Sequence, residues 1–73
     1  MKDEEYLKRL GERILHVRKE KEITQVELAD KLDMWHTQIG RIERGEVNAT
    51  INMLRKIAKE LGVSISELVN IDL

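Results

Sequence analysis

Apolar residues along this chain recur at spacings of three and four, the repeat of a helix with one buried face. From Glu4 to about Lys21 the apolar positions Leu7, Leu10, Ile14 and Val17 follow that rhythm, with Lys8, Arg9, Glu12, Arg13 and Arg18 between them. This predicts a first helix, amphipathic and highly charged outside. A break falls at Glu22 and Ile23. Thr24, with Glu27 three residues on, then reads as a capping box in which each side chain satisfies a free amide at a helix start. Leu28, Ala29 and Leu32 give the short second helix its buried face. Asp33 and Met34 form the next break, and Asp tolerates a left-handed turn better than most residues. A third helix runs from about His36 to Arg44, with Ile39 and Ile42 inward, and Gly45 closes it as a left-handed cap. Glu46 to Ala49 is a loop and Thr50 caps a fourth helix, with Leu54, Ile57, Ala58 and Leu61 as its buried stripe and Gly62 at its end. Ser64 and Glu67 make a second capping box, opening a short fifth helix with Ile65 and Leu68 facing in.

Composition sharpens the fold class. The chain has no proline and no phenylalanine, one tryptophan and one tyrosine, and is rich in Leu, Ile, Glu, Lys and Arg. Those residues favour helix over strand, so an all-α fold is expected. With 73 residues and short connections, residues 1–73 are read as a single domain with a marginal core. It has no cysteine to staple that core, no long apolar run and no signal-like start. A cytoplasmic, reducing setting is the natural expectation, with no membrane association.

The segment from Gln25 to Arg44 turns a generic helical bundle into something more specific. Thr24-Gln25-x-x-Leu28-Ala29, Met34, Ile39, Ile42-Glu43-Arg44-Gly45 and Leu54-x-x-Ile57-Ala58-x-x-Leu61-Gly62-Val63-Ser64 occur in order. The set resembles the lambda-repressor-like helix-turn-helix family, the Cro and phage-repressor group also called xenobiotic-response-element-like regulators. The likeness covers about Leu10 to Leu68. It implies a five-helix domain whose second and third helices, about 25–44, form a helix-turn-helix that reads the DNA major groove.

The resemblance also assigns roles. Gln25 is expected to bond a DNA phosphate, and Arg18 to pair with Glu43, tying the first helix to the third. With Ile39 and Ile42 inward, the outward face of the third helix carries His36, Thr37, Gln38, Gly40, Arg41 and Arg44. The family's base-reading positions map onto His36, Thr37 and Arg41. Arg41 is suited to bidentate donation to guanine O6 and N7, Thr37 to a thymine methyl, a base or a phosphate, and His36 to guanine or phosphate. Arg44 is expected on backbone phosphate, helped by Asn48 and loop amides. The competing reading of Arg41 and Arg44 is solvated helix charge.

Three positions depart from the family pattern. Trp35 stands where a small capping residue is usual. It either packs partly against the turn, touches the DNA edge, or anchors a protein partner. Asp33 replaces the usual turn glycine, and Gly40 costs helix stability, either baring the backbone for close approach to the groove or reflecting loss of a side chain by drift. Beyond the fifth helix, Val69, Ile71 and Leu73 are apolar and are expected to form a homodimer contact, the alternative being that they fold back over their own domain.

Charge pulls the other way. Thirteen Lys and Arg against fourteen Asp and Glu leave a net charge of −1, so weak non-specific affinity for DNA is expected. Catalysis gets little support: His16 and His36 lack metal-ligating partners, and no glycine-rich phosphate loop occurs. No cofactor or metal is expected. The functional expectation is a transcriptional repressor or autoregulator binding a pseudo-palindromic double-stranded operator as a dimer. Its alternatives are an antitoxin or restriction–modification controller, or a protein-interaction module that has lost DNA binding.

Overall fold

The computed structural model describes residues 2–71, which form five helices: α1 (Asp3–Glu20), α2 (Gln25–Leu32), α3 (His36–Glu43), α4 (Ile51–Leu61) and α5 (Ile65–Val69). The architecture is the all-helical one that the periodicity predicts, and the described residues contain no strand. Each start and stop has a local cause. α1 opens with Asp3, Glu4 and Glu5 and ends with Arg18 and Lys19, charges that complement the helix dipole at both ends. Thr24 accepts from the Glu27 amide while the Glu27 carboxylate accepts from the Thr24 amide, closing the predicted box. Ser64 and Glu67 repeat the arrangement at α5, and Thr50 accepts from Met53 at α4. α1 and α3 begin without a side-chain cap, on Lys2 and Trp35.

Four helices end in one device. A left-handed residue lets its own amide reach three residues back and the next amide reach five back, the Schellman pattern. The left-handed residues are Glu22, Asp33, Gly45 and Gly62, with φ of 57°, 54°, 72° and 72°. Their bonds run from Ile23 to Arg18, Met34 to Ala29, Glu46 to Arg41 and Val63 to Ala58. Asp33 therefore takes the turn without the glycine usual there. Glu22 does the same although its side chain offers none of the local hydrogen bonding that eases Asp into that region.

Every helix contributes to one core: Leu10, Ile14 and Val17 from α1, Leu28 and Ala29 from α2, Ile39 and Ile42 from α3, Leu54, Ile57, Ala58 and Leu61 from α4, and Leu68 from α5. Leu32 and Ile65 pack against it half-buried. Leu7 is half-buried beside Asp3, Tyr6 and Asn48, because the first turns of α1 run out along the loop after α3. Tyr6 packs against the core there, and its hydroxyl donates to the Val69 carbonyl at 2.9 Å. With Arg13 Nε donating to the Glu67 carbonyl at 2.9 Å, this ties the end of the chain to α1. Val69 and Ile71 are half-buried against the core of their own chain, and Leu73 lies outside the described residues.

α3 is placed by backbone contact with α1. A Cβ on Gly11 would lie 2.4 Å from the Glu43 carbonyl oxygen and 2.5 Å from that of Ile42. A Cβ on Gly45 would lie 2.7 Å from both the N and the Cα of Lys8. These are main-chain atoms at both points, so no side chain can swing aside.

Gly11→Ala is therefore expected to destabilise the fold by about 1–3 kcal/mol despite the better helix propensity of Ala, read as a lower urea midpoint. A second expectation concerns pH. The hydrogen bonds from Thr24 hold the Glu27 carboxyl below its ordinary value. A depressed folded value means that this contribution is complete above the unfolded carboxylate range and is lost as pH falls through the folded one. In Thr24→Ala the Glu27 titration, followed by NMR, should move only part of the way back toward the ordinary carboxylate range, because the amide of residue 24, the larger of the two influences, remains in place.

Candidate nucleic-acid interface

α2 and α3 pack against each other, and α3 also packs against α1, which leaves one face of α3 toward solvent. Ile39 and Ile42 point into the core, so residues 36, 37, 40, 41 and 44 share the outer face. His36, Thr37, Gly40, Arg41 and Arg44 line one shallow open depression together with Gln25 from the start of α2. Five of the expected site residues are thus brought together, around a glycine that keeps the floor bare. The other three lie elsewhere. Gln38 is half-buried outside the depression. Asn48 is exposed beside Asp3, Tyr6 and Leu7, so the structure does not place it with Arg44. Trp35 is 83% exposed, next to Asp30, Asp33 and Met34. Partial burial against the turn is therefore not its condition: the indole stands largely in solvent at the head of α3.

The depression is braced from behind by a buried polar network. Arg18 and Glu43 are only 7% and 5% exposed. Arg18 Nε and Nη2 donate to Glu43 Oε2 and Oε1 at 2.6 and 3.1 Å, the parallel fork that suits a guanidinium to a carboxylate. Arg18 Nη1 donates to the Ile23 carbonyl at 2.8 Å, and Gln25 Nε2 donates to Glu43 Oε1 at 2.8 Å. The expected tie between the first and third helices is present, and it reaches further. One carboxylate also fixes the Gln25 side chain, leaving the second amide hydrogen of Gln25 for a ligand. Among the described residues no buried side-chain N or O atom lacks a partner.

Sequence reasoning did not anticipate Glu46. Its Oε2 accepts from Arg44 Nε at 2.5 Å, on the exposed side of the same face. The pair raises the Arg44 guanidinium above its ordinary value and holds the Glu46 carboxyl below its own, each charge favouring the other. The only sequence signal was an acid two residues after an arginine across a turn glycine, a spacing too common to single out. Gly11 was missed for a similar reason, since a lone glycine in a charged helix has no pattern.

A family model described as helix-turn-helix matches residues 14–68, the span that runs from the second half of α1 into α5 and contains the braced depression. The chain belongs to the lambda-repressor-like helix-turn-helix family of DNA-binding transcription regulators. It is 37% identical over 60 residues to the immunity repressor protein of Bacillus phage phi105, covering 82% of this chain and 42% of the repressor. The chain thus spans less than half the length of that relative. It is 36% identical over 61 residues to control protein C.MunI of a Mycoplasma species, covering 82% of both. Among solved structures, the restriction-modification controller protein C.AhdI from Aeromonas hydrophila superposes with a TM-score of 0.82 at 29% identity, covering 85% of this chain and 94% of that one.

Breaking the brace from one side leaves a buried charge without its partner. Glu43→Gln is expected to cost about 3–5 kcal/mol, much of the stability of so small a domain. The double substitution Arg18→Met, Glu43→Leu should recover a large part of that loss in urea titrations followed by circular dichroism.

Proposed function

We propose that this member of the family is a sequence-specific reader of double-stranded DNA that lays α3 in the major groove and acts on a pseudo-palindromic operator as a homodimer. The observation that carries the reading is the convergence of Gln25 with His36, Thr37, Arg41 and Arg44 on one face, braced by the Arg18–Glu43 pair. Base edges offer directional hydrogen bonds, which only side chains on a rigid helix can meet repeatedly. Arg41 donates to guanine, with His36 and Thr37 reading or flanking neighbouring bases. Gln25 and Arg44 hold phosphates on either side. Gln38 and Trp35 lie at the margin of this surface, where they meet the DNA edge or a protein partner, and Asn48 reaches backbone only where the duplex passes α1.

One domain of this size reads too few base pairs to select a genomic site, so two copies one helical turn apart are required. The end of α5 and the segment after it, with Val69, Ile71 and Leu73, supply the contact, using the parts of Val69 and Ile71 that their own core leaves uncovered. The protein works in the cytoplasm as a repressor or autoregulator and carries no catalytic role. Among the described residues no group of three metal-ligating side chains occurs, and no helix is long and apolar enough to cross a membrane.

A second reading, restriction–modification controller, is favoured by a specific observation. The control protein C.MunI is matched over 82% of its length, and 94% of the C.AhdI chain is covered, whereas only 42% of the phage repressor is. Both readings share the same DNA chemistry and differ in the gene beside the operator.

Selection of the purified protein against a random duplex library should enrich an inverted repeat; a folded protein that enriches nothing would overturn the proposal. Arg41→Ala should flatten the preference at one base pair of each half-site, a loss of about 1–3 kcal/mol of discrimination, while leaving binding elsewhere in the site intact.

A further inference from the structure

The turn after α3 brings two residues together that are two apart in sequence. Gly45 is left-handed, and the Glu46 amide donates back to the Arg41 carbonyl at 2.9 Å. This bond fixes the Glu46 backbone beside the last turn of α3, with its carboxylate on the Nε edge of Arg44. Nε meets Oε2 at 2.5 Å and Nη2 meets Oε1 at 3.4 Å. The remaining corner, Nη1, lies over Gly40: it is 3.0 Å from the point where a Gly40 Cβ would be, and the Gln25 amide is 3.7 Å from that point. Arg44 is therefore stretched across the bare floor of the depression between Gln25 and Glu46.

The Nε–Nη2 edge held by Glu46 is the same fork that a guanidinium offers to two phosphate oxygens. We propose that Glu46 is an internal stand-in for a DNA phosphate, occupying the donor edge of Arg44 in the free protein so that DNA binding is an exchange of carboxylate for phosphate. This rests on the reading of the depression as a DNA interface. Both side chains of the pair are exposed over more than half their surface, so water reaches the pair and the exchange needs no unpacking. Each partner stabilises the charge of the other, so the exchange moves no proton near neutral pH. The effect is to withhold one cation from phosphates in general, in a chain whose net charge is already −1. Phosphate contacts carry no base information, so the penalty falls on every duplex alike.

The test uses the full chain and two duplexes, the operator recovered by selection and one of unrelated sequence, titrated at several salt concentrations. Glu46→Gln should bind both duplexes about two- to fivefold more tightly, the scale of an exposed ion pair. In an Arg44→Ala background the same substitution should bring a clearly smaller gain, the part due to overall charge alone. Glu46 also faces the charge of Arg41, so the gain should persist in an Arg41→Ala background. A gain of equal size without Arg44 would mean a general loss of negative charge and would overturn the proposal. So would unchanged affinity of Glu46→Gln in a chain that binds DNA. If the wild-type chain binds neither duplex, the DNA reading itself falls, a result distinct from either.

Discussion

The position of α3 depends on a backbone-to-backbone contact with α1. Gly11 admits the Ile42 and Glu43 carbonyls, and Gly45 rests on the main chain of Leu7 and Lys8. Helices usually meet through side chains and keep their axes 8–10 Å apart, with freedom to rotate and slide as residues repack. Contact at two glycines, one at each side of the crossing, removes much of that freedom. Further along α1 the Arg18–Glu43 fork adds direction, because a guanidinium–carboxylate pair holds two bonds only in one plane. With rotation of α3 set in this way, the identity of the outward residues follows from the helical repeat alone.

A domain without disulfides and with a core drawn from short helices has little stability to spare. It meets that limit at the helix ends. Three of its five helices begin on a Ser or Thr that accepts an amide, and four end in the same left-handed turn. These bonds are local in sequence, so they form without long loop closure and limit fraying of helices that are too short to persist in water. The exposed Glu22 in a left-handed turn shows that the turn is imposed by the path of the chain and not by the residue's own preference.

The fold was almost fully legible in the sequence because periodicity, caps and stops agree with one another. The two capping boxes and the glycine ends of α3 and α4 are local signals, and local signals survive folding. Placement of the site was legible for the same reason: once Ile39 and Ile42 are inward, residues 36, 37, 40, 41 and 44 share a face. What escaped depends on approach between segments distant in sequence. Gly11, the Tyr6 hydroxyl on Val69, and the separation of Asn48 from Arg44 are set by how α1 crosses the rest. No spacing along one helix encodes that crossing. The half-burial of Val69 and Ile71 likewise follows from the two bonds that pin the chain's end to α1.

Trp35 is the chain's one tryptophan and is 83% exposed. An indole surrounded by water in the folded state changes its surroundings little when the chain unfolds, so the tryptophan emission of this protein is nearly silent about its own stability. The same emission comes from the head of α3, where there is no other source to dilute it. Tryptophan light from this molecule, excited beyond the absorption of Tyr6, therefore reports on what arrives at that edge, not on whether the helices behind it are folded.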